Sequence, residues 1–288
     1  MTQLHETAML VSLSVKQWTA RKLDKKITDQ VNREHSASQD AGRYNKLLLS
    51  KDALAEINKA ESQARVEHYS RTLPWSKGTD ILSAAGYLDY QNTMREIKQR
   101  FNSAVDVFCD NWDAHVEDAR QRLNGMFDAS DYPTVDRIRK RFDFAVEFFP
   151  IPSAGDFRVA LVDGQADQIR REIEASTAKR IEQAQQDIFE RVSTVVAAMV
   201  EKLGAYDPSG DKVTGIFRDS LVGNVRDLVA LLPTLNITGD NKISDLTTRL
   251  EKELCEFDAT DLRESDNLRQ KTKDAAAKIL ADVTEFMA

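Results

Sequence analysis

"AAGYLDYQNTMREIKQRFNSAVDVFCDNWDAHVEDARQRLN", residues 84–124, decides the class of fold. Tyr87, Tyr90, Met94, Ile97, Phe101, Ala104, Phe108, Trp112, Ala119 and Leu123 recur along it at a near three-four spacing. That period lays them on one face of an α-helix. Sustained this far, the stripe predicts a coiled-coil-like seam against a second long helix. At 1.5 Å per residue the rod is roughly 60 Å long, and Gly125 stands where a C-terminal stop belongs. The second rod is read from about 166 to 203, on the stripe Ile169, Ile173, Ile181, Ala184, Ile188, Val192, Val195, Met199 and Leu203, with Gly204 closing it. The expectation is a long antiparallel helical hairpin.

Between the rods the period changes to two. Phe144, Val146 and Phe148 alternate with Ala145 and Glu147, and Phe157, Val159 and Leu161 alternate with Arg158 and Ala160, which predicts a β-hairpin around a Pro/Gly loop. Val11, Leu13 and Val15 alternate with serines in "LVSLSVKQWTARKLDKK", residues 10–26, and offer a third strand. A lone hairpin is marginal in water, so a third strand or a helical cover is expected. From about Thr19 the same stretch reads as an amphipathic helix, with Leu23, Ile27 and Val31 as its apolar stripe and Lys22, Lys26 and Arg33 on an adjacent solvated face. "HSASQDAGRYN", 35–45, reads as a loop, about 51–71 as a helix, and "TLPWSKG" as an interruption with Pro74 and Gly78.

Beyond the second rod lie three helical patterns. One is marked by Val213, Ile216, Phe217, Leu221, Val225, Leu228 and Leu232 and ended by Pro233; another by Ile243, Leu246, Leu250 and Leu254; the last runs from about Ser265. "DPSGDK", 207–212, divides an N-terminal region, 1–206, from a C-terminal helical region, 207–288. The fold class is therefore mostly α (α+β): a helical hairpin, a small two- or three-stranded sheet and a C-terminal bundle.

With 30% charged residues but only 11 Gly and 6 Pro, the chain is built for long helices with solvated faces. Its net charge of −7 offers no global field for nucleic acid. The distribution is uneven: residues 16–51 carry nine Lys/Arg against four Asp/Glu, and 251–288 carry six against ten. Cys109 and Cys255 are far apart, which suits a reducing cytoplasm and no disulfide framework. No basic n-region opens the chain and no apolar run is long enough for a bilayer, so neither a signal peptide nor membrane attachment is expected.

Motifs that carry chemistry are hard to find. His5, His35, His68 and His115 are widely separated, outside any HExxH pattern, and are expected at the surface or in caps. "DPSGDK" and "TGDNKISD" lack the full spacing of a calcium loop. There is no GxxxxGK[ST], GxGxxG or GxSxG. No catalytic, metal or cofactor residue is assigned, no cofactor is expected, and an enzyme is the weakest reading. The candidate binding residues form basic faces with possible aromatic stacking: Trp18 with Arg21, Lys22, Lys25 and Lys26 in one cluster, and Arg137, Arg139, Lys140 and Arg141 in "DRIRKRF". If residues 10–15 lie beside the strand that follows "DRIRKRF", the two clusters approach one another. Pairing with the chain's own acidic helices is the favoured use of these charges. Tyr44, Leu47 to Leu49, Leu73 and Trp75, beside turn signals, dock onto the rods or anchor a partner.

"LVSLSVKQWTARKLDKK", "DAGRYNKLLL", "LPW", "RLNGMFDASDYP", "AGDFRVAL" and "FRDSLVGNVRDLVALLPTLNITGD" together resemble an uncharacterised family encoded by tailed bacteriophages and prophages, over residues 8 to about 240. Relatives are encoded near a ring-forming AAA+ ATPase of the MoxR/CobS type and a von Willebrand A-type protein. The resemblance implies a phage protein in the cytoplasm of the bacterial host, and it carries over no catalytic residue. The expected function is a non-enzymatic adaptor or oligomeric scaffold whose partner is an AAA+ ATPase or a second copy of the chain. The alternative is a nucleic-acid-binding accessory in phage replication, recombination or counter-defence.

Overall fold

The computed structural model describes residues 4–152, 163–210 and 212–287. In order, its elements are α1 (Leu4–Thr7), β1 (Ala8–Lys16), β2 (Arg21–Leu23), α2 (Lys25–Glu34), β3 (Asn45–Leu47), α3 (Ala55–Arg71), β4 (Leu73–Ser76), β5 (Thr79–Ser83), α4 (Tyr87–Asp110), α5 (Trp112–Leu123), α6 (Val135–Arg139), β6 (Asp143–Phe149), α7 (Asp163–Ala205), α8 (Ser220–Leu235), α9 (Asn241–Leu254), α10 (Ala259–Glu264) and α11 (Asp266–Met287). The fold is mostly helical, with a four-stranded sheet in the order β4-β5-β1-β6 and a ribbon of β2 and β3. The strand expected over 157–161 lies outside the described residues. Residues 10–15 do form the neighbour of β6, as the alternation suggested. Not anticipated was the hairpin that "LPWSKGTDILS" makes. Its two strands meet through Lys77 and Gly78, the latter at φ +79°, while register slips between Pro74 and Ser76.

Contacts divide the chain into two compact units. One comprises Met1–Ser12, His68–Tyr90 and Glu147–Ala288; the other comprises Leu13–Glu67 and Gln91–Val146. Residues on both sides of 207–212 thus share one unit, and one hydrophobic cluster holds Met199 and Leu203 together with Val225, Leu250 and Ile279.

In the first unit the partner of α7 is α11, where the sequence led us to expect the 84–124 rod. Ile188, Val192, Val196, Met199 and Leu203 bury against Ala276, Ile279 and Val283, and α8 and α9 complete the core with Val222, Leu232, Ile243 and Leu246. Two arginines of α7 hold β4 and the junction that leads into it from α3. Arg180 donates to the Trp75 carbonyl at 2.7 Å and lies 5.0 Å above its ring; Arg191 donates to the Ser70 and Thr72 carbonyls at 3.1 and 2.7 Å. A guanidinium fork suits this task because it presents several fixed donors. Val213 and Ile216 were expected on a helix but are exposed in the segment before α8. There Asp207 pairs with Thr214 and Gly215 adopts φ +63°, a conformation that helical residues do not take. α8 runs two residues past Pro233, and α10 was not anticipated.

In the second unit the 84–124 stripe is core: Met94, Ile97, Phe101, Phe108, Trp112, Ala119 and Leu123 are all buried. The rod is not one helix, however. It breaks at Asn111, whose side-chain amide donates to the Val107 carbonyl at 2.8 Å in competition with the backbone. It stops at Asn124, φ +45°, one residue before the expected glycine. Aromatic contacts carry the packing, with Phe101–Phe144 and Phe108–Phe142 centroids 5.7 and 5.6 Å apart.

Candidate functional site

Both basic clusters belong to the second unit, and only part of each lies on a solvated helix face. Trp18 is buried, 5.7 Å from Trp112, and has no free face for a base. Arg21 and Lys22 lie on β2, not on the expected helix from Thr19. Alternation sends Arg21 outward opposite Leu47, and Lys22 opposite Lys46. Lys25 and Lys26 open α2, with Asp24 as N-cap accepting from the Ile27 amide at 3.1 Å. Arg137 and Arg139 end α6, and Arg139 pairs with Asp106. Lys16 and Asp143, which flank the two clusters in sequence, approach to 3.3 Å.

The charge in the first cluster is partly internal. Asp131, buried in the turn before α6, is bracketed by Lys22 and Lys46. Lys46, only 5% exposed, stands 2.7 Å from Asp131, 3.7 Å from Asp24, and donates to the Met126 carbonyl at 2.9 Å. Burial pushes the Asp131 carboxyl up, but the hydrogen bonds and charges of Lys22 and Lys46 outweigh it and hold the group below the usual carboxylate range. Lys22 in turn is raised, first by its bond to Asp131. The sequence pointed to Lys22 but not to Lys46 or Asp131, because pairs 85 residues apart leave no periodic signal.

The most unusual surface is α2. Its predicted core stripe is not buried: on the helix Val31 is 43% exposed and Ile27 half-buried, Leu23 on β2 is 38% exposed, and Thr28 and Asn32 are buried instead. The inversion has a cause in the 35–45 loop. Thr28 accepts from the Tyr44 amide at 3.0 Å, Asn32 donates to the Gln39 carbonyl at 3.2 Å, and the Asp24 amide donates to the Tyr44 carbonyl at 2.9 Å. A helix packed against loop backbone must offer polar groups to it. Tyr44 and Leu47 remain exposed on the same unit, whereas Leu48, Leu49 and Leu73 are buried, so the turn-flanking apolar residues split between docking and display.

Also in this unit, α3, α4 and α5 border an open groove of about 780 Å³. Ile57, Ala60, Ala104 and Phe108 give it an apolar floor, Val107 stands on its wall, and Asp52, Glu56 and Glu96 lie along its rim. At one end His115 stacks on Phe108 at 5.2 Å, and burial lowers its pKa.

Within the first unit, His68 departs from the surface or capping role expected of it. It is buried, with Nδ1 2.7 Å from the Tyr90 hydroxyl and Nε2 2.8 Å from Asp80. Tyr90 is fully buried, which raises its pKa strongly. The trio joins α3, β5 and α4. Among the described residues no group of three or more His, Cys, Asp or Glu side chains is placed to hold a metal ion, and no helix is long and apolar enough to cross a membrane.

A family profile described as "Protein of unknown function (DUF3150)" matches residues 5–221. No curated protein and no solved structure matches the chain.

Proposed function

This chain belongs to the DUF3150 family, whose function is unknown, and from that premise we propose that it is a bacteriophage interaction protein: a non-enzymatic adaptor or oligomeric scaffold acting in the host cytoplasm. The observation that carries this reading is the inverted amphipathicity of α2, which buries Thr28 and Asn32 and leaves Val31 exposed and Ile27 half-buried. An exposed apolar strip with a charged surround is the physical form of a docking site. The groove bordered by α3 and α4 supplies a second such surface on the same unit. The partner to test is a ring-forming AAA+ ATPase of the kind that the resemblance implies.

The test is co-purification of the tagged full chain with such an ATPase from the bacterial cytoplasm, alongside Val31→Asp. Capture by the wild type, lost in the variant, is expected, because a carboxylate at the exposed apolar position of α2 penalises burial there. Absence of capture together with a strictly monomeric state overturns the reading.

A second reading, contact with nucleic acid, is supported by Arg21, Lys25, Lys26, Arg137, Lys140 and Arg141, which are exposed and make no ion pair among the described residues. Lys26→Glu with Arg141→Glu is the informative variant, since Lys22 and Arg139 already have carboxylate partners. This reading expects binding that weakens with salt and weakens further in the variant. No binding at low salt removes it.

A further inference from the structure

We propose that copies of this chain join head to tail, the outward face of α2 on one copy seating in the groove bordered by α3 and α4 on the next. The proposal rests on reading both surfaces as protein-docking sites and names their occupant: a second copy.

Length, chemistry and charge each support it. α2 has 10 residues, hence a length of about 15 Å; the groove wall from Ala53 to Gln63 rises through a similar distance, about 15 Å. α2 presents Ile27 and Val31 one turn apart, with Leu23 leading into them, and the groove offers the apolar floor of Ile57, Ala60 and Phe108. This is how an amphipathic helix enters a groove, with anchors at i and i+4. The rim carboxylates Asp52, Glu56 and Glu96 face cations of the incoming segment, Arg21, Lys25, Lys26 and Arg33, which outnumber its acids Asp24, Asp29 and Glu34, and Asp24 is taken up by the Ile27 amide and Lys46 of its own unit. The rim's own cations have partners: Lys59 lies 3.8 Å from Glu56, and Arg100 donates to Gln63 at 2.9 Å, so Asp52 and Glu96 are the rim carboxylates that make no ion pair among the described residues.

The symmetry of such a contact is specific. Strip and groove are different surfaces, so a pair of copies still has one strip and one groove unsatisfied. A heterologous contact of this kind propagates until it closes into a ring or runs on as a filament. A self-complementary pairing of α2 with α2 would stop at two chains.

Sedimentation of the full chain over a dilution series tests this, using wild type, Val31→Asp, Val107→Asp and an equimolar mixture of the two variants. Both residues are exposed, Val107 by 61%, so the core is untouched; thermal melts followed by circular dichroism check that. Wild type is expected to pass beyond the dimer as concentration rises. Each variant alone should associate at least about tenfold more weakly, the effect of losing one anchor. The mixture should form a one-to-one complex and stop, because one intact strip then meets one intact groove.

Wild type that is monomeric at every concentration overturns the proposal, as does a mixture that stays monomeric or Val107→Asp that still pairs. A monomeric wild type that captures the ATPase retires the head-to-tail contact and keeps the adaptor. An assembled wild type whose mixture pairs one to one, yet captures nothing, keeps the contact and retires the ATPase.

Discussion

Replacing Lys46 with Met should destabilise the second unit by about 3–5 kcal/mol, the cost of breaking a buried ion pair by removing one partner. Lys46 is the buried member of the pair that holds Asp131, and its side chain also satisfies the Met126 carbonyl. Without it a carboxylate with only 1% of its side chain exposed keeps Lys22 alone as counter-charge. The double variant Lys46→Met/Asp131→Leu should recover most of the loss, because neither buried charge remains. Urea titrations of wild type, both single variants and the double variant measure the coupling. Additive single effects would show that the two side chains act independently.

The same cluster sets a pH dependence. The folded-state pKa of Asp131 lies below its unfolded value. Its stabilising contribution is therefore fully present above about pH 4, the ordinary aspartate range, and is lost as pH falls through the depressed folded value. Wild type should lose stability on acidification below about pH 4 by more than the double variant does. Equal acid limbs would contradict the assignment.

His68→Ala should cost about 3 kcal/mol, combining a cavity with two abandoned polar partners. The ring bridges the Tyr90 hydroxyl and Asp80, and Thr72 donates to the His68 carbonyl at 2.7 Å. Tyr90→Phe removes one oxygen at constant shape and should cost less, about 1–3 kcal/mol, by leaving His68 Nδ1 without its partner. After His68→Ala, the further change Tyr90→Phe should cost little, since the hydroxyl has already lost its bond. Thermal unfolding of the three variants reads this coupling. A full penalty for Tyr90→Phe in both backgrounds would mean that the hydroxyl acts elsewhere.

Much of the architecture could be read from periodicity. Phe101, Phe108 and Trp112, and likewise Ile188, Val192 and Met199, declare their burial through helical spacing, and all are core. The alternation around Val11 and Phe144 located two adjacent strands. What misled was treating each apolar stripe as a statement about its partner. The stripe of α7 is complementary to α11 as much as to any other greasy helix, and spacing carries no address. In α2 the error was larger, because Val31 has a core-like place in the period yet faces solvent, Ile27 is only half-buried, and Leu23 lies on β2 instead of the helix. The β4–β5 hairpin was hidden by the brevity of its strands and by Pro74, though Gly78 was the available turn signal.

By itself the sequence determined helix content, the buried faces of the long helices, the strand alternation and the cationic character of residues 16–26 and 137–141. Each depends on neighbours within a few turns of chain, so local composition suffices. Tertiary structure alone decided which helix meets which, that Lys22 and Lys46 share Asp131, and that His68 is buried with Asp80 and Tyr90. It also decided that α2 turns its polar side inward. Those outcomes follow from where unsatisfied backbone and buried charge find partners across long stretches of chain.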